Sequence, residues 1–223
     1  MTPITRLMQG AALAVLMTGA AAAQDFPERA VTLVIPFAAG GSTDVVGRIV
    51  AEKMSAQLGQ QVVVQNVGGA GGSLGAGQVA RAEPDGYTIL MGTVATHALN
   101  PLILTQKPYD PVADFAPVSL LVLVPNVLAV NPELGVDTVQ ELIDLAKSEP
   151  LAYASSGNGT PLHLSGELFK SMAGIDLTHI PYQGSGPALT DVLGNQVPII
   201  FDNLPSASSH IAAGSLKALG VTT

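Results

Sequence analysis

The chain has 223 residues and a net charge of −8. That length allows one large domain or two modest ones, and the acidic balance argues against nucleic acid and against an anionic membrane surface, both of which select basic stripes. Aromatics are few and tryptophan is absent, so the core is aliphatic; cysteine is absent too, so no disulfide forms, a pattern that suits a bacterial periplasmic protein of this size.

The N-terminus reads as a targeting segment. Arg6 supplies a positive start, Ala11 to Met17 a short apolar stretch, and Ala21-Ala22-Ala23 a small-residue cleavage pattern before Gln24. These are the parts of a cleavable secretory signal peptide over 1–23, cut after Ala23 and too short to span a membrane.

From Gln24 onward the pattern is strand, turn, helix, repeated. Val31–Phe37 is a continuous apolar run, as expected of a strand buried on both faces. A helix is predicted from about Thr43 to Leu58, with Val46, Ile49, Val50, Met54 and Leu58 on its apolar stripe and Gly59 as its stop. Val62–Gln65 is a second strand, residues 68–72 a glycine turn, Ser73–Ala82 a helix and Tyr87–Met91 a third strand. This rhythm argues a parallel α/β sheet. Residues 101–116 read as proline-rich and irregular.

Val118–Val124 and Val127–Val130 then read as strands broken at Pro125. Thr138 and Glu141 fit a capping box opening a helix to about Lys147. Ala152–Ser155 is a strand, and Thr160 caps a helix with Pro161 at its first position and Gly174 after its end. Leu177–Ile180 is a strand, residues 184–187 open a helix to Leu193, and Pro198–Phe201 is a strand with Asp202 and Asn203 at its end. Ser206–Ala213 reads as helix and Lys217–Val221 begins a strand, after which the chain stops abruptly, as a fragment would. The expectation is two α/β lobes, 24–123 and 124–218, with residues 219–223 starting a return crossover to the first.

Ligands of open α/β sheets bind beyond the carboxyl ends of the strands. The small polar residues gather there: Ala39–Thr43, Gly68–Ser73, Thr93–Thr96, Ser155–Thr160, Gly184–Gly186 and Asp202–Asn203. None of these loops holds Lys or Arg. Backbone N–H groups, hydroxyls and helix N-termini can hold an anion without a basic side chain, and glycine lets the backbone come close. Any one loop alone reads equally as an economical turn with a hydroxyl cap. Six on one predicted edge point to a shared site for a small carboxylate or other oxyanion.

Sharper motifs carry less. Gly71-Gly72-Ser73-Leu74-Gly75 matches a G-x-S-x-G nucleophile elbow, but the elbow needs its serine on a tight turn directly off a strand, and six residues of loop precede Gly72. Residues 75–80 match a loose dinucleotide fingerprint but fall inside a helix, where close packing explains the glycines. His97, His163, His179 and His210 have no partner at helical spacing, so no metal site and no cofactor are expected. His97 and His163 lie near the proposed cleft, where packing or hydrogen bonding competes with ligand contact. Asp44 sits in the first turn of its helix, where a carboxylate favours the dipole; binding a ligand ammonium is the other reading.

At these loops the sequence resembles the extracytoplasmic solute receptors of tripartite tricarboxylate transporters, the Bug-type proteins. "VIPFAAGGSTDVVGRIVAEKM", "GAGGSLGAGQVARAEPDGYTILMGT", "YDPVADFAPVSLL", "YASSGNGTPLHLSGELFKSMAGI", "HIPYQGSGPALTDVLGNQV" and "FDNLPSA" carry the resemblance, in order, over nearly the whole mature chain. It implies a two-lobed α/β periplasmic-binding-protein-like (type II, flytrap) fold, C-terminally truncated. It implies a monomer that is no enzyme, binds a di- or tricarboxylate, an aromatic acid or an acidic or amide amino acid, and delivers it to membrane permease subunits. A sensory role beside a kinase, or a Ser73 hydrolase, are the alternatives.

Carried over, the first-lobe grip is Phe37, Ala39, Gly40, Gly41, Ser42 and Thr43, and the second-lobe grip is Ser155, Ser156, Gly157, Asn158, Gly159 and Thr160. Ser73, Thr93, Tyr182 and Asp202 are secondary contacts reading the rest of the ligand. The chain departs from the family pattern at Val67 and Gly69, where a basic residue and a proline are usual. It also stops where family members run on to complete the first lobe, so residues 24–223 alone are expected to be marginally stable and to expose apolar surface.

Overall fold

The computed structural model describes residues 26–222, so the expected signal peptide and its cleavage point lie outside the described residues. Strands Val31–Ile35 (β1), Val62–Asn66 (β2) and Thr88–Leu90 (β3) form a parallel sheet in the order β2-β1-β3. β1 is the central strand, which is why its apolar run is unbroken: both faces are covered. Helix Ser42–Leu58 (α1) packs on one face over Val31, Leu33 and Ile35. Helix Ser73–Ala80 (α2) covers the other, with Gly75 drawn so close that a Cβ there would meet the Pro36 Cα at 2.9 Å.

The contact face of α1 keeps most of the expected stripe, with Val46, Met54 and Leu58 packed against the core of the sheet. Beyond its first turn the buried residues are Gly47 and Ala51, and a Cβ on Gly47 would lie 2.6 Å from the Ile35 side chain. The small residues bring the helix down onto the strand, and Ile49, expected on the buried stripe, is exposed. Gly59 ends the helix in the left-handed conformation as expected.

The second sheet has five strands: Asn126–Val130 (β4), Leu151–Ser155 (β5), Leu177–Pro181 (β6), Ile199–Asn203 (β7) and Lys217–Val221 (β8), in the order β6-β5-β7-β4-β8. β5, β6 and β7 are parallel, while β4 runs antiparallel to both β7 and β8. β8 stays on this sheet as far as the Val127–Val221 pair. Helices Val139–Ser148 (α4) and Pro161–Ala173 (α5) cover the face bearing Val130, Tyr153 and Ile199. Helices Ser185–Leu193 (α6) and Leu204–Ala212 (α7) cover the face bearing Ala129, Ala154 and Ile200. The capping box of α4 forms with both bonds at 3.1 Å.

Two expectations fail. Val118–Val124 pairs with no strand among the described residues and lies extended and exposed, Val118 at 92%. An apolar run becomes a strand only where a neighbour offers backbone partners. Residues 95–103, expected as loop and irregular chain, are helical: a wide turn Ala95–Leu99 runs into a short helix Asn100–Ile103 (α3). Pro101 sits in the first turn of α3, where it costs no hydrogen bond.

The two sheets repeat one topology that no sequence period disclosed. β2-β1-β3 and β6-β5-β7 are the same parallel order, each strand followed by a helix. The carboxyl ends of both sets carry the small polar loops.

Candidate functional site

The two sets of loops meet each other in a crosswise pattern. The loop after β1 packs on the loop after β6: the Ala38 N–H donates to the Gln183 carbonyl at 2.9 Å, Gly41 faces Ser185, and Gly186 lies directly against the Ala39 carbonyl. The loop after β5 packs on the loop after β2: a Cβ on Gly71 would meet the Asn158 carbonyl at 2.6 Å. The same rule extends one strand further. The start of α1 touches α7, which follows β7, and Gly159 touches Asn100 and Ile103, which follow β3. Glycine stands at these junctions because the backbones themselves are in contact.

The expected first-lobe residues are thereby separated in role. Phe37 is buried, and its carbonyl accepts from the Asn66 amide at 3.1 Å. Ala39 and Gly40 are exposed at the loop tip, Gly40 with φ of 85°. Gly41 is the N-cap of α1 and brings no side chain to it. The helix N-terminus instead holds the protein's own carboxylate: Asp44 accepts from the Gly40 N–H at 3.0 Å, the Asn66 amide at 2.9 Å and the Arg48 guanidinium at 3.0 Å. Burial alone would raise the Asp44 carboxyl, but these bonds and the Arg48 charge hold it below its ordinary value. The structure gives Asp44 the dipole-facing capping position. Ser42 is buried and bonds Ser206 across the lobes, whereas Thr43 is half-buried.

In the loop after β5, Ser155 lies buried with its hydroxyl 2.7 Å from His179 Nε2, and it accepts from the Gly157 N–H at 3.2 Å. Thr160 caps α5, its Oγ1 accepting from the His163 N–H at 3.3 Å and donating to the Gly157 carbonyl at 2.7 Å. The Gly159 N–H donates to His163 Nδ1 at 3.2 Å. Ser156 is buried and Asn158 exposed at the tip. Gly157, with φ of 128°, backs onto the Tyr182 carbonyl.

The four secondary residues turn inward. The Ser73 hydroxyl accepts from the Asn100 amide at 2.8 Å, and no histidine stands beside it, which removes the local support for a hydrolase. Thr93 is tied to Thr96, its N–H donating to Oγ1 at 2.9 Å. The Tyr182 hydroxyl donates to Asp191 at 2.6 Å; burial and that carboxylate push its pKa up to about 12. Asp202 is fully buried and accepts from the Ser185 and Ser206 hydroxyls. Burial raises its pKa against the opposing pull of those bonds.

Sequence reasoning missed Asn100, Ser206 and His179, and it placed Ser185 only as part of a loop; His163, expected near the cleft, stacks on His179 with the rings 4.2 Å apart and accepts from the Gly159 N–H. The motif fragments contained most of them. Ser206 bonds Asp202 within one helical turn, but its partner Ser42 lies 164 residues away and the partner of Asn100, Ser73, 27 away, beyond any local pattern. Gly69 has φ of 126°, a conformation closed to proline. Among the described residues no cluster of three metal-ligating side chains occurs, and no helix is long and apolar enough to cross a membrane.

Two α/β units whose strand ends face each other across glycine-rich loops define a binding protein of the two-lobed type. A family model for the tripartite tricarboxylate transporter family receptor matches residues 46–223, and the chain belongs to that family. It is 39% identical to the BugT protein of Bordetella pertussis over 98% of its own length and 69% of that protein's. A solved periplasmic transporter superposes with a TM-score of 0.86 at 47% identity, covering 89% of this chain and 67% of that one. A Rhodopseudomonas palustris protein solved with adipate gives 0.85 at 42%, with the same coverage. The chain thus spans about two thirds of the length of the proteins it matches. The family and these neighbours are binding and transport receptors, not enzymes.

Proposed function

We propose that the chain is the solute-binding receptor of a tripartite transporter, working in the periplasm. It captures a small carboxylate between its lobes and presents it to membrane permease subunits. The observation that carries this reading is the convergence of both sets of strand-end loops, which bring backbone N–H groups and hydroxyls but no Lys or Arg. Neutral donors suit a carboxylate that must be released again, since a bidentate arginine clamp would bind it more tightly.

The ligand contacts are assigned to the backbone of Ala39, Gly41, Ser156 and Asn158, whose neighbours Ala38, Gly40, Gly157 and Gly159 already donate within the protein, and to the hydroxyls of Thr43 and Ser156. Ser73, Thr93, Ser155, Thr160 and Tyr182 shape the loops from behind. The adipate held by a neighbour directs the choice of probe to linear dicarboxylates.

Thermal melts of the chain with adipate, succinate, citrate and glutamate test the reading. One of them should raise a cooperative transition, by the equivalent of about 2.7 kcal/mol at a hundredfold excess over Kd. Ser156→Ala should then weaken binding about tenfold. A cooperative transition that none of the four moves overturns the carboxylate assignment.

A further inference from the structure

Helix α7 begins without a cap of its own. Its N-cap residue Asn203 makes no side-chain capping bond, and Pro205 in its first turn has no N–H to satisfy. The next donor, the Ser206 N–H, is buried and requires a partner. That partner is the Ser42 hydroxyl, at 2.9 Å, from the start of α1 on the other lobe and 164 residues away. Ser42 does in trans what an N-cap side chain ordinarily does within one helix.

The bond continues inward. Having accepted from the Ser206 N–H, the Ser42 hydroxyl turns its proton to Ser206 Oγ at 2.8 Å. Ser206 Oγ donates to Asp202 Oδ2 at 2.6 Å, and the other Asp202 oxygen accepts from Ser185. The relay runs in one direction and ends on a buried carboxylate, the strongest available acceptor. Of its four side chains, only Ser42 belongs to the first lobe.

We propose that Ser42 is the positioning residue of lobe closure: its hydroxyl latches the first lobe to the Ser206 end of α7, over a relay anchored on Asp202. This rests on the reading that the lobes open and close around a ligand. When the lobes part, the Ser206 N–H and the relay lose their outer member together, so the latch favours the closed state independently of what the ligand contributes. Ser42 and Asp202 thereby serve closure rather than direct contact with the ligand. Asp202, accepting at both of its oxygens, ends the relay, and Gly186, against the Ala39 carbonyl, lets the lobes come close enough for the bond to form.

The chain has no cysteine, so a spin-label pair introduced as Gln57→Cys on α1 and Lys147→Cys on α4, both exposed, is unique. Interlobe distances are measured in this background with and without Ser42→Ala, and with and without adipate. The latch requires Ser42→Ala to move the open-to-closed ratio toward open by about tenfold. It also requires the Ser206 amide to exchange faster in Ser42→Ala while other α7 amides keep their rates. Unchanged distances and unchanged Ser206 exchange overturn the latch, whatever adipate does. If adipate closes neither form while Ser42→Ala still opens the apo protein, the latch stands and the dicarboxylate reading falls. Should Ser42→Ala fail to fold, Ser206 exchange in the unsubstituted chain decides: a rate equal to that of an unprotected helix-end amide overturns the proposal.

Discussion

His163 and His179 stack between α5 and β6, each bound to the end of β5 or the loop after it, and His163 must stay neutral at Nδ1 for its bond to hold. His163 Nδ1 accepts from an N–H, so it carries no proton there. Burial, then the neighbouring His163 charge, bring the His179 pKa down to about 4; burial lowers His163 as well. Facing them are Tyr153 of β5 and Glu167 and Lys170 of α5, with Glu167 accepting from the Tyr153 hydroxyl at 2.7 Å. A histidine whose folded pKa lies below its unfolded value costs nothing above the unfolded pKa. As pH falls from about 6.5 towards 4, the unfolded chain takes a proton that the folded chain refuses, and stability drops. For His179 the loss is at most about 3 kcal/mol, reduced by the solvent that reaches its half-buried ring. Urea midpoints at pH 7, 5.5 and 4.5 measure it. His179→Gln should flatten the slope between pH 6.5 and 4.5, a window in which the lowered carboxyls of Asp44 and Glu167 are still ionised. A slope that survives the substitution places the pH sensitivity elsewhere.

At the scale of the helix, one substitution made twice separates propensity from packing. Glycine to alanine inside a helix gains about 1 kcal/mol where the new methyl meets nothing rigid. In α2, a Cβ on Gly77 meets the mobile end of Arg81 at 3.3 Å and Pro108 Cβ at an ordinary contact distance of 3.5 Å, so Gly77→Ala should stabilise by roughly 0.5–1 kcal/mol. In α5, a Cβ on Gly166 runs into the Tyr153 ring, which is buried, stacked on His179 and edge-on to Phe201. Overpacking of that kind costs about 1–3 kcal/mol and outweighs the propensity gain. Gly166→Ala should therefore destabilise, and equal signs for the two variants in urea unfolding would contradict the packing described.

Elements of this kind were legible in the sequence wherever their signal was local. The capping box at Thr138, the Thr160-Pro161 start with its Gly174 stop, and the Gly59 stop all stand where they were expected, because each depends on neighbours within four residues. Val118–Val124 is not a strand because a strand is a property of two segments, and α3 lies partly in the stretch expected to be proline-rich and irregular because Pro101 falls in a first turn, where it does not break the helix. The strand-end loops were legible as a group from their composition. Which loop meets which was not, since Ser42 finds Ser206 only through the placement of two whole lobes.

The molecule as a whole carries more exposed apolar surface than its interior requires. Val118, Leu120 and Leu123 are 92%, 77% and 82% exposed on one extended stretch with free backbone groups beside them. Leu164, Leu168 and Met172 line a second strip along α5 at four-residue spacing, again exposed. An unpaired extended segment with apolar side chains is a template for pairing with another chain, and contiguous apolar area on a surface drives association. The net charge of −8 opposes this only through screened repulsion, which fades beyond about 8 Å at physiological salt. The chain of these 223 residues should therefore self-associate as its concentration rises, and more so in high salt. Leu120→Lys with Leu123→Lys should suppress that association while leaving the melting temperature nearly unchanged, because neither side chain is buried in the fold. Sedimentation velocity at low and high salt reads the first effect and a thermal melt the second. Association that persists in the double variant moves the sticky surface to the α5 strip, where Leu168→Lys is the next substitution. A lowered melting temperature would mean that residues 118–124 pack against the protein after all.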